Sequence, residues 1–139
     1  MSRPDADERP IAAWGDAAIE HVCRTTVPDY DPWASAGAGQ RFEVALARRA
    51  IAFFHDMLVF VEGERAGEPF DLEPWQAAIV GNLFGWIDVT TGHRRFREAF
   101  VFVGRKNGKT ALAAGIALYL LLCDGEPGGQ VVIVQGCSA

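Results

Sequence analysis

The chain has 139 residues, half of them hydrophobic, and a formal net charge of −5 at pH 7. That length fits one domain with a real core, and the acidic balance argues against a generally basic nucleic-acid binder. The cysteines, Cys23, Cys123 and Cys137, form no CxxC pair, so neither a zinc site nor a disulfide framework is indicated and a reducing compartment is the default.

In chain order, residues 1–10 read as a polar, mobile arm without a signal-peptide core. Ile11–Val22 reads as a short helix, with Ile11, Trp14, Ala18 and Val22 roughly on one side and Gly15 weakening it. Pro28-Asp-Tyr-Asp-Pro32 and Ser35-Ala-Gly-Ala-Gly39 are turn and linker material. Arg41–Phe60 reads as a core-packing helix, because Phe42, Leu46, Ala50, Phe53, Phe54, Met57 and Leu58 recur at helical spacing. Arg48 and Arg49 lie away from the centre of that stripe, and His55 and Asp56 read as surface groups with no third partner. After the polar loop Glu62–Pro69, Asp71 or Glu73 suits the start of a second helix and Pro74 its first turn. Trp75, Ala78, Ile79, Leu83, Trp86 and Ile87 give that helix an amphipathic stripe. Gln76 falls off the stripe at the N-terminus; its amide can offer a donor and an acceptor to an adenine edge, or simply be solvated. Thr90-Thr-Gly-His93 reads as a turn.

The densest chemistry lies in Phe100-Val-Phe-Val-Gly-Arg-Lys-Asn-Gly-Lys-Thr110, followed by the apolar Ala111–Leu122. The pattern is a buried strand, a tight polar turn and a helix. Gly108-Lys109-Thr110 ends a phosphate-binding loop of the type G-x-x-x-x-G-K-[ST]. Gly108 lets the backbone approach a polyphosphate, and the helix N-terminus turns its N–H groups and dipole towards the anion. Lys109 can reach the β- and γ-phosphate oxygens and the Thr110 hydroxyl can ligate Mg²⁺. The first glycine of the pattern is replaced by Val103, with Gly104 one place late. Arg94, Arg95, Arg97, Arg105, Lys106 and Lys109 stand against only Glu98, so positive charge gathers around the loop, although Arg94 and Arg95 also fit a solvated turn. The apolar run through Leu112–Cys123 is too short to cross a bilayer, and Asp124-Gly-Glu-Pro-Gly-Gly129 stops it. Gln130–Gln135 reads as a second, apolar strand, which completes one βαβ unit with its ligand site at the end of the first strand.

Leu72-Glu-Pro-Trp-Gln76, Leu83-Phe-Gly-Trp86, Arg94-Arg-Phe-Arg97, Arg105-Lys-Asn-Gly-Lys-Thr110 and Ala113–Leu122 occur in one order. In that order they resemble the N-terminal ATPase region of the large terminase subunit of tailed bacteriophages, over about Arg41 to Val134. The resemblance implies an α/β fold: the βαβ start of a P-loop NTPase, a parallel-sheet three-layer sandwich, preceded by helices and incomplete as a domain. Residues 1–40 would form an arm and short helix, and residues 41–139 the N-terminal part of the ATPase domain. It implies ATP and Mg²⁺ as ligands, held by Gln76, Gly104, Arg105, Lys106, Asn107, Gly108, Lys109 and Thr110. Thr110 would ligate the metal, Gln76 recognise adenine, and Lys109 and Arg105 neutralise charge on the transferring phosphoryl group. Implied partners are double-stranded DNA, other copies in a ring, the portal and a small terminase subunit, in the cytoplasm of a bacterial host and with no membrane. The family's acidic strand motif has no counterpart here, since Asp124 and Glu126 both fall in a turn, and no nuclease domain follows. The expectation is therefore a truncated, marginally stable ATPase fragment. The residues alone also allow another P-loop ATPase, helicase-like, or a non-catalytic nucleotide- or anion-binding fragment.

Overall fold

The computed structural model describes residues 10–60, 63–99 and 109–123, with Lys109 and Thr110 described through their backbone. The chain divides into two compact units, Met1–Ala99 and Phe100–Ala139.

In the first unit the expected Ile11–Val22 helix is split. Ile11–Ala13 forms a single 3-10 turn. Helix α1 runs Asp16–Thr25 and is preceded by Gly15 at φ −66°, ψ 161°. Gly15 thus breaks the helix by serving as its N-cap in extended backbone, and Asp16 meets the positive end of the helix dipole. Arg48 fixes this corner from afar. Its guanidinium donates to the Trp14 carbonyl at 2.5 Å and pairs with Asp16.

The expected Arg41–Phe60 helix is shorter at both ends. Strand β1 is Gln40–Phe42 and helix α2 is Val44–Met57. Strand β1 pairs antiparallel with β2, Trp86–Asp88, in the register Gln40–Asp88, Arg41–Ile87 and Phe42–Trp86. Phe42 therefore leaves the helical stripe and enters an aromatic cluster, its ring 4.8 Å from Trp33 and 5.6 Å from Trp86. At the other end Leu58 turns extended, at φ −119°, ψ 149°. Beyond it the chain folds back on itself. The Phe70 N–H donates to the Leu58 carbonyl at 3.0 Å, Val59 bridges to Pro69, and the Phe60 and Phe70 rings stack at 4.5 Å. Helical spacing continued past both ends, but tertiary pairing decided the backbone.

Helix α3 is Pro74–Gly85 and is not amphipathic. Ala77, Ala78, Val80, Gly81, Asn82, Phe84 and Gly85 are all buried, while Trp75, Ile79 and Leu83 of the expected stripe are half-buried. Trp86 and Ile87 belong to β2 instead. The reason is packing: α3 lies against both α1 and α2, so more than one of its faces is covered. The approach is close. A Cβ on Gly81 would collide with the Cys23 sulfur, and one on Gly85 would come within 2.5 Å of the Phe42 ring.

A polar bridge crosses this core. The Asn82 amide donates to the Cys23 carbonyl at 2.8 Å, and the Trp86 indole donates to Asn82 Oδ1 at 3.1 Å. Among the described residues no buried side-chain nitrogen or oxygen lacks a partner, as buried polar groups require. Cys23 is 1% exposed. Burial, helped by the Glu20 charge, pushes its thiol up to about 12.

The expected turn at Thr90–His93 is present. The Gly92 N–H, at φ +74°, donates to the Asp88 carbonyl at 2.7 Å, and the Asp88 N–H to the His93 carbonyl at 2.8 Å. Of the expected strand Arg97–Val103, residues 97–99 are described and form no strand; the rest lies outside the described residues.

In the second unit the expected helix is present as α4, Lys109–Leu122. Leu112, Ala117 and Tyr119 are buried, and Leu118, Leu121 and Leu122 are exposed. The strand expected at Gln130–Gln135 lies outside the described residues. The described fold is thus mixed, helices with one small antiparallel sheet of two strands. The expected parallel P-loop sheet has its strands at residues 97–103 and 130–135, and only 97–99 of these are described.

Candidate nucleotide-binding site

Of the GKT sequence, Lys109 and Thr110 lie in a helix, as the phosphate-loop pattern requires. Lys109 and Thr110 are the first two residues of the 14-residue α4. The leading N–H groups of any helix have no acceptor within it, and the macrodipole adds about half a positive charge there. The first turn of α4 contains no acidic residue to offset that charge. A lysine, a hydroxyl and a helix N-terminus together fit a phosphate with an associated divalent cation. Gly104, Arg105, Lys106, Asn107 and Gly108 lie outside the described residues.

The start of α3 is built differently. Pro74 takes the first helical position, where its missing N–H costs nothing, and Glu73 is the N-cap at φ −71°, ψ 160°. The two halves of a capping box are in place. In one half the Glu73 backbone N–H donates to Gln76 Oε1 at 2.9 Å. The Trp75 indole N–H also donates to Glu73 Oε2, at 2.8 Å. Gln76 is 6% exposed. It is therefore not a solvated group, and its oxygen accepts one hydrogen bond from its own helix start.

The expectation that His55 and Asp56 are surface groups with no third partner is corrected at His55. Its Nδ1 pairs with Asp71 Oδ1, both side chains being about a third exposed. The contact joins the last turn of α2 to the segment leading into α3. Sixteen residues separate the pair, so no local pattern announces it.

Arg95 is likewise no solvated turn residue. Its guanidinium donates to the Pro32 carbonyl at 2.7 Å and to Ser35 Oγ at 2.9 Å, and it lies 4.6 Å from the centres of both the Trp86 and Phe96 rings. Arg94 lies over Phe84 at 5.5 Å. Part of the positive charge counted ahead of the loop thus holds structure in the first unit. Among the described residues no cluster of His, Cys, Asp and Glu could hold a metal, and no helix is long and apolar enough to cross a membrane.

With the two helix starts defined, comparison with known proteins adds a class. Residues 74–137, from Pro74 at the start of α3 through α4 and beyond, match the family model of an ATPase domain. That domain is the one of the terminase large subunit, and the match bears out the resemblance seen in the sequence. An ATPase domain implies nucleotide binding. No curated protein and no solved structure matches the chain.

Proposed function

We propose that the chain binds ATP with Mg²⁺ through the loop ahead of α4, as part of a terminase large subunit ATPase that drives packaging of double-stranded DNA. The reading is carried by one coincidence. Gly108-Lys109-Thr110, with Lys109 and Thr110 in helix α4, lies inside the stretch that matches the ATPase family.

The roles follow from the chemistry of the side chains. The Lys109 ammonium pairs with β- and γ-phosphate oxygens. Gly104, Lys106, Asn107 and Gly108 would offer backbone N–H groups to the phosphates. The Thr110 hydroxyl would hold Mg²⁺, which would supply charge neutralisation to the phosphates. Arg105 neutralises charge developing on the γ-phosphoryl group. Catalysis of this kind is positioning plus electrostatics. None of these residues is a carboxylate that could activate water, so they account for binding and charge stabilisation alone. In the assembled motor, contacts to DNA fall on the backbone and weaken with salt. A ring of copies, the portal and a small terminase subunit are the partners, in the cytoplasm of the bacterial host.

The test is a titration of the full chain with ATP and Mg²⁺, before and after Lys109→Ala. Losing a charge-assisted contact of about 2 kcal/mol weakens binding about 30-fold. ATP binding that survives Lys109→Ala unchanged overturns the reading.

A further inference from the structure

We infer that Glu73 is a positioning residue for the nucleotide base: its backbone N–H holds the Gln76 carboxamide in one orientation, so that the amide accepts a 6-amino purine and rejects a 6-oxo purine. The inference rests on the nucleotide-binding reading above, with Gln76 as the base reader that the resemblance implies, and deepens it by naming what fixes the base preference.

A carboxamide that can turn is a poor discriminator. It meets adenine by donating from Nε2 to N7 and accepting at Oε1 from the 6-amino group. Turned end for end, the same amide offers its N–H to the oxygen that a 6-oxo purine carries at that position. Discrimination therefore needs a contact that prevents the turn. Here Oε1 accepts the Glu73 backbone N–H at 2.9 Å. A backbone N–H can only donate, so the atom facing it is the oxygen. Turning the amide would lose this bond and set two donors against each other at a part-buried position.

The pinned amide keeps what a base needs. A carbonyl oxygen has two lone pairs, and the Glu73 N–H takes one of them. The second is left to accept from a 6-amino group. At the other end, Nε2 makes no hydrogen bond among the described residues. Gln76 is 6% exposed, yet no buried side-chain nitrogen among those residues lacks a partner. Nε2 is therefore the end of this buried side chain that reaches the surface. The holding contact is itself braced. The Glu73 carboxylate accepts the Gln76 backbone N–H in the capping box and the Trp75 indole N–H at 2.8 Å, and Pro74 fixes the first helical residue between them. Acceptor and donor are thus presented in one order, which matches adenine.

The experiment measures Mg²⁺-dependent affinities for ATP and inosine triphosphate in the full chain and in Glu73→Ala and Glu73→Pro. Inosine carries oxygen at position 6 where adenosine has the amino group. Both variants lose the carboxylate, but only proline also loses the N–H, and its ring suits the φ of −71° found at Glu73. The parent is expected to prefer ATP by about tenfold or more, Glu73→Ala to stay within about threefold of that ratio, and Glu73→Pro to fall to a preference of about threefold or less. Equal ratios in the two variants overturn the inference. Hydrogen exchange at the Glu73 amide of the parent gives a second reading that needs no variant to fold. Its protection is expected to persist when ATP is added; loss of protection overturns the inference, because the oxygen then leaves the cap to meet the base. A parent that binds ATP and inosine triphosphate equally overturns the inference and leaves the nucleotide-binding reading standing. A parent that binds neither overturns both.

Discussion

Helices α3 and α4 are both rich in apolar residues, yet their N-termini are finished in different ways. α3 begins with Pro74, is capped by Glu73 and takes the Gln76 oxygen back onto its own backbone. α4 begins with Lys109 and Thr110 and has no acid in its first turn. One end satisfies its N–H groups from within the chain. The other carries a lysine where the dipole is already positive, and on the function proposed above an anion completes it. The difference lies in the residues themselves: α3 carries a capping acid and a glutamine at its start, and the first turn of α4 carries a lysine, a threonine and no acid.

This contrast is open to attack by substitution, because the two starts lie in separate units. The largest effect belongs to the seat of α3. Gly81→Ala drives a methyl into the Cys23 sulfur and is expected to cost about 3 kcal/mol, read as a lowered midpoint in denaturant with the slope unchanged. Next, Asn82→Ala leaves the Cys23 carbonyl and the Trp86 indole N–H without partners, for a loss of about 2 kcal/mol. Lys109→Ala should show the opposite pattern, an ATP affinity about 30-fold weaker with the unfolding midpoint unmoved. A midpoint that falls in step with the affinity would erase the distinction between the two starts.

Smaller effects sharpen the picture of the first unit. Cys23 ionises near 9.0 when unfolded and near 12 when buried. Between those values the unfolded chain has lost a proton that the folded one keeps, so stability from this group is intact below pH 9 and falls as pH rises towards 12. The slope of stability against pH from 8 to 10.5 should therefore flatten in Cys23→Ala, and native Cys23 should resist alkylation at pH 8. The smallest change is expected from His55→Ala. It removes a contact that is one-third exposed on each side, and double-mutant cycles with Asp71→Ala should return less than about 1 kcal/mol.

What could be read from the sequence followed the range of the interactions. The start of α3 is written in Glu73-Pro74 and the helix begins there as expected, and Lys109 and Thr110 are helical as Gly108-Lys109-Thr110 suggests. The cap on α3 was also present as Glu73-Pro-Trp-Gln76, an acid and a glutamine three residues apart, although a glutamine at a helix start suits a base as well as a backbone N–H. The ends of α2 were misplaced because Phe42 and Leu58 keep helical spacing while their partners, Trp86 and Phe70, are far along the chain. The amphipathic reading of α3 failed at Gly81 and Gly85. Periodicity scores them as neither apolar nor polar, yet they are what lets other elements come close. His55 with Asp71, and Arg95 with Pro32, are contacts of topology and leave no trace in local pattern.

Arg95 gives the fold an order in time. The stretch from residue 26 to 39 contains no helix or strand, and its Pro32 carbonyl and Ser35 hydroxyl are held by a guanidinium 63 and 60 residues further on. On a ribosome adding about 5–20 residues per second, that clasp arrives roughly 3–12 s after the segment it fastens. Until then the segment is unfastened, and Trp33 also lacks the Trp86 ring that packs 4.9 Å away. During synthesis, then, the segment between α1 and α2 is fastened only after Arg95 has emerged.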